Sequence, residues 1–93
     1  MVIGVLQVEL FLHGSQSLKD KRILLKSLKQ RLHNNFNVSV SELGFQDKWQ
    51  KALVGIACIG NENRAIDSML SDVVNYINRE KEIELLNYST ELL

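Results

Sequence analysis

Hydrophobic and polar positions along this chain switch repeatedly between a period of two and a period near 3.6. Val2–His13 is apolar at both parities. Val2, Leu6, Val8, Leu10 and Leu12 share one, and Ile3, Val5 and Phe11 share the other with Gln7 and Glu9. Apolar residues on both faces predict a long central strand. Ser15–Asn35 reads as a helix, with an apolar stripe of Leu18, Leu24, Leu25, Leu28 and Leu32. Ser17 suits its N-cap, and Asp20, three residues on, is placed to reach back as in a capping box. Asn34-Asn35 is expected to end it, because Asn tolerates the left-handed conformation. Phe36–Leu43 alternates, Val38 and Val40 inward and Ser39 and Ser41 outward, as a half-exposed edge strand does. Gly44–Asp47 turns the chain into Lys48–Ile59, a second strand of central character. After Gly60–Asn63, Ala65, Ile66, Met69, Leu70, Val73, Val74 and Ile77 give the clearest helical period, and Glu82–Leu92 completes the series as a strand.

The predicted order is β-α-β-β-α-β, with no repeats, no low-complexity tract and no proline. Two strand-helix-strand units joined by a hairpin fold as a ferredoxin-like α+β two-layer sandwich in one domain, residues 1–93. The expected sheet is antiparallel with strand order 4-1-3-2, and both helices lie on one face. The other face is then bare. Some of Ile3, Val5, Phe11, Leu53 and Ile59 must lie open or meet a partner, so self-association through the open sheet face or a strand edge is one expectation.

Charge changes this picture more than composition does. The formal net charge is zero, yet residues 1–34 carry six Lys or Arg against Glu9 and Asp20, a surplus of four. Residues 61–93 carry Arg64, Arg79 and Lys81 against seven acids, a deficit of four. Within the first helix Lys19, Arg22, Lys26 and Lys29 recur at intervals of three, four and three, which aligns them along one side. With Ser17 and Lys21 at the same helix they form a candidate surface for a phosphate, another anion or RNA. A solvated face is the competing reading, and overall neutrality argues against a dedicated nucleic-acid binder.

At one end of the sandwich the topology collects His13, Glu42, Asp47 and Trp49 near the start of the first helix, a third candidate as a small-anion or enzyme site. His13 with Ser15 or Ser17 and Glu42 has the residue types of nucleophilic catalysis, but no nucleophile elbow or oxyanion motif accompanies them. There is no glycine-rich phosphate loop, and His13 and His33 fall at opposite ends of the helix. Neither a cofactor, a metal nor an enzymatic activity is expected. Val2–Leu12 is too short to span a bilayer. Cys58, in V-G-I-A-C-I, is expected in the core, and a lone cysteine without an intrachain disulfide suits the cytoplasm.

Three blocks, H-G-S-Q-S-L-K-D-K-R (His13–Arg22), F-N-V-S-V-S-E-L (Phe36–Leu43) and Q-D-K-W-Q-K-A (Gln46–Ala52), resemble the YlxP-like family of small uncharacterised bacterial proteins. The similarity extends over nearly the whole chain. It implies a ferredoxin-like fold, a cytosolic protein and no assigned enzymatic activity. Family members are often encoded beside translation-initiation and ribosome-maturation genes, which implies ribosomes or RNA as partners by association only. Ser17, Leu18, Lys19, Lys21, Arg22, Glu42, Asp47, Trp49 and Gln50 occupy the matching motif positions, and the family defines no active site to transfer.

Overall fold

The computed structural model describes residues 1–93. Six elements follow one another: β1 (Val2–Leu12), α1 (Leu18–Asn35), β2 (Ser39–Gly44), β3 (Lys51–Gly60), α2 (Asn63–Asn78) and β4 (Ile83–Leu92). The strands form one antiparallel sheet in the order β2-β3-β1-β4, a ferredoxin-like arrangement. The expected order, read from the other edge, is the same.

Parity decides which side of the sheet is inside. Leu6, Val8, Leu10 and Leu12 of β1 and Ala52, Val54, Ile56 and Cys58 of β3 are buried beneath the helices. Ile3, Val5, Phe11, Leu53 and Ile59 fall on the opposite parity and line the uncovered face, with Ile59 61% exposed. Gly4 belongs to the inner row because Ile66 and Leu70 of α2 press against the backbone there, leaving no space for a Cβ.

The two helices are packed unequally. Ile66, Leu70, Val73, Val74 and Ile77 of α2 are buried, and this helix lies close against β1, β3 and β4. In α1 only Lys21, Leu28 and Leu32 are buried, and the helix stands farther from the sheet. Phe36, edge-on to Tyr76, and an ion pair from Arg31 to Glu80 at 2.9 Å tie the two helices together.

Ser17 caps α1 as expected, its Oγ accepting from the Asp20 N–H at 3.0 Å. Asp20 does reach back, but its carboxylate accepts from the Gln16 N–H (3.0 Å) rather than from the cap residue itself. The helix ends at Asn35 as expected, but without the expected left-handed cap. The chain leaves α1 in extended conformation at Phe36 (φ −140°, ψ 146°) and no Asn is left-handed. Asn35 instead donates to the Arg31 carbonyl at 2.8 Å, so its amide bonds back into the last turn. The ladder of β2 starts at Ser39, three residues later than the alternation suggested, and that of β3 at Lys51. The longer hairpin turn between them holds one left-handed residue, Phe45 (φ 59°), beside a bulge at Glu42/Gly44.

Candidate functional site

The spacing that makes α1 amphipathic also explains its unusual buried residue. Lys21 is three residues after Leu18 and four before Leu25, so it occupies the stripe continued by Leu28 and Leu32. Its side chain is only 3% exposed. A buried ammonium must have partners, and Lys21 has three oxygens. Nζ donates to the carbonyls of Phe45 (2.6 Å) and Lys48 (2.7 Å) and lies 2.8 Å from Glu42 Oε2. That last contact is an ion pair, and Glu42 Oε2 has no hydrogen-bond partner besides it. Lys21 is therefore not an anion-binding residue. Its charge is consumed in clamping the β2–β3 hairpin.

A second clamp lies beside it. Ser15 is fully buried, and its hydroxyl is within reach of the Trp49 carbonyl (2.5 Å) and the Ser17 carbonyl (2.9 Å), donating to one at a time. Gln50 closes the same corner, its amide donating to the Ser15 carbonyl and its own carbonyl accepting from the Leu12 N–H. The blocks beginning at His13, Phe36 and Gln46 thus converge on one structural knot. Their residue types answer first to folding.

The remaining cations are in a different situation. Lys19, Arg22, Lys26 and Lys29 are exposed, and no carboxylate of the chain is within ion-pairing distance of any of them. Arg22, Lys26 and Lys29 border a groove of about 300 Å³ between α1 and the outer edge of β2. Leu25, Leu28, Val40 and Val54 make its floor, and Ser41 and Glu42 its far wall. The groove exists because α1 stands off the sheet and β2 has no further strand beside it. Lys19 and Ser17 lie at the helix start outside the groove, and the Ser17 hydroxyl is occupied by capping.

The polar end does not assemble as one cluster. His13 Nε2 lies 2.8 Å from Glu84 Oε1 on β4, with its ring edge-on to Phe11. Glu42 is on β2 and turned to Lys21, and β3 separates β2 from β1, so the strands are about 10 Å apart. Asp47 and Trp49 are exposed in the hairpin turn, Asp47 without an ion pair and Trp49 anchored through its carbonyl. Of the four, only Glu42 lines one of the main surface grooves, the one between α1 and β2; His13, Asp47 and Trp49 line none of them. On the other side of the molecule, Leu43, Val5 and Ala57 form a shallow apolar dimple over Gly55 on the open sheet face. Neither helix is long and apolar enough to cross a membrane.

Fold and site together define a small ferredoxin-like α+β protein that carries a cation-lined groove beside an edge strand. Comparison with known proteins places it further. Residues 3–90 match the profile of a family described as "Protein of unknown function (DUF503)", and the chain belongs to that family. It is 38% identical over 90 residues to the uncharacterised protein YlxP of Bacillus subtilis (strain 168), covering 97% of this chain and 98% of that one. Among solved structures it is similar to the apo form of LarC2, the C-terminal domain of a cyclometallase involved in the synthesis of the NPN cofactor of lactate racemase. That match has a TM-score of 0.43 and 14% identity, over 100% of this chain and 56% of that one.

Proposed function

We propose that this protein is a non-enzymatic accessory protein that binds RNA or ribosomal particles along α1. One observation carries the reading: Lys19, Arg22, Lys26 and Lys29 are aligned, exposed and without a carboxylate partner, while the other two cations of the helix are each paired. Unneutralised like charges in a row gain nothing for the helix. They gain when a polyanion releases its counterions to them. Seven of the eleven acidic residues lie in residues 61–93, and residues 1–34 keep a surplus of positive charge.

The test is a filter-binding titration against ribosomal RNA fragments over a salt series. With up to four phosphates neutralised on a single strand, the slope of log affinity against log salt is expected near −2 to −3. Lys26→Glu with Lys29→Glu should weaken binding by one to two orders of magnitude, on the order of one phosphate contact each with a reversed sign. Unchanged binding by that double variant removes the proposal.

A second reading has its own observation. Ile59 (61%) and Leu43 (51%) are exposed on the apolar open face, which also carries Val5 and Leu53. Under it the sheet face joins two copies. Sedimentation at micromolar concentration should then show a dimer that Ile59→Lys dissociates. A monomer at every concentration refutes it.

A further inference from the structure

We infer that the ligand of the α1–β2 groove is an unpaired stretch of RNA with a guanine seated against Glu42. This rests on the RNA reading above and deepens it. The shape of the site selects the strand type. The cations stand on one wall of a concavity of about 300 Å³, room for one base-sized group and little more, rather than on a broad convex surface. Arg22 to Lys29 spans seven residues, about 10 Å of helix axis. That is the reach of about two or three successive phosphates on one strand. The half-buried Leu25 and Val40 on the apolar floor offer contact to the face of a base, which in a duplex is hidden by stacking.

Glu42 selects the base. A carboxylate on the wall of a phosphate groove repels phosphate, so whatever faces it must present hydrogen-bond donors. Its Oε2 is buried beside Lys21 and accepts no directed hydrogen bond. The side chain keeps 29% exposure, which leaves Oε1 to face the groove. Guanine carries two adjacent donors, N1–H and the 2-amino group, on its Watson–Crick edge, whereas the single N–H of uracil is flanked by two carbonyl oxygens that a carboxylate repels. In a duplex that guanine edge is already paired. The Lys21 clamp fixes the carboxylate in place, so the acceptor is held before the ligand arrives.

Fluorescence anisotropy with three probes decides the matter. They are a short oligouridine strand, the same strand with one central guanosine, and that second strand annealed to its complement. The guanosine strand is expected to bind roughly tenfold more tightly than oligouridine, with the duplex weakest. Replacing the guanosine by inosine, which lacks the 2-amino group, should lose part of the gain. Equal binding of all probes, abolished by the Lys26→Glu/Lys29→Glu double variant, overturns this inference and leaves the general RNA reading standing. If no probe and no ribosomal RNA fragment binds, both fall. Glu42→Gln should erase the guanosine preference while salt-dependent binding remains. If that variant does not fold, the base series on the unaltered protein decides alone.

Discussion

Replacing Lys21 by Met tests the clamp on which both the hairpin and the groove wall depend. Met keeps the length and the apolar stem, so packing along the α1 stripe is preserved and only the charge is removed. Left behind are the carbonyls of Phe45 and Lys48 and the carboxylate of Glu42, whose Oε2 is buried. Breaking a fully buried ion pair from one side costs about 3–5 kcal/mol. Glu42 keeps 29% of its side chain in solvent, so water recovers part of that loss, and the expectation falls to about 2–4 kcal/mol. For a domain of this size each kilocalorie lowers the melting temperature by about 4–8 °C, so a drop of roughly 10–25 °C should appear in thermal denaturation followed by circular dichroism. The double variant Lys21→Met/Glu42→Leu removes both charges and should regain part of the loss, giving a coupling energy of at least about 1 kcal/mol. Lys26→Met, at an exposed and unpaired site, should change stability by no more than about 0.5 kcal/mol. Should Lys21→Met cost as little as Lys26→Met, the buried amine is not what holds the hairpin, and the reasoning is wrong.

The other expectations are shorter. Gly4→Ala places a methyl group against Ile66 Cγ2 and Leu70 Cδ1 and should destabilise by about 1–3 kcal/mol in urea unfolding, while Gly60→Ala, which meets only the end of Ile66 at 3.0 Å, should cost less. Equal costs at the two glycines would refute the close approach of α2 to β1. Burial pushes the Cys58 thiol above its ordinary value of 9.0, and a hydrogen bond from the Gly4 backbone offsets this only in part. Because the folded pKa is raised, the associated stability is fully present below the unfolded thiol value and is lost as pH rises past it. Iodoacetamide at neutral pH should therefore label the folded protein far more slowly than the protein in denaturant, and equal rates would show Cys58 to be accessible.

Much of the fold is written in periods that survive tertiary packing. The parity of β1 separated the buried Leu6, Val8, Leu10 and Leu12 from the open Ile3, Val5 and Phe11, since a sheet with helices on one face has no other way to arrange them. Two strand starts were misplaced for a physical reason. Phe36 and Val38 alternate like strand residues because they pack against the core, but they precede the point where the backbone reaches its partner. At the hairpin, Gly44 invites the left-handed conformation, yet Phe45 adopts it, and its carbonyl is held by Lys21. The role of Lys21 was legible in principle: a lysine at a stripe position three and four residues from leucines is either misplaced or paired. Its partners were not legible, because two of them are backbone carbonyls in a turn whose path the residue types do not specify.

The candidate site repeats this division. The alignment of Arg22, Lys26 and Lys29 follows from helical spacing alone, but the groove they border depends on how far α1 stands from the sheet, and no local pattern encodes that distance. A lysine in the stripe reaches its oxygens at the end of a long apolar stem and holds the hairpin there. The same contact fixes Glu42 as the groove's far wall. Clamp and groove therefore share a residue, and a variant at Lys21 or Glu42 that loses ligand binding says nothing about recognition unless its stability is measured alongside. Arg22, Lys26 and Lys29 have no such double role, since each is exposed and unpaired. Substitutions there isolate binding from folding, and a loss of RNA affinity at unchanged melting temperature is the result that only a recognition surface produces.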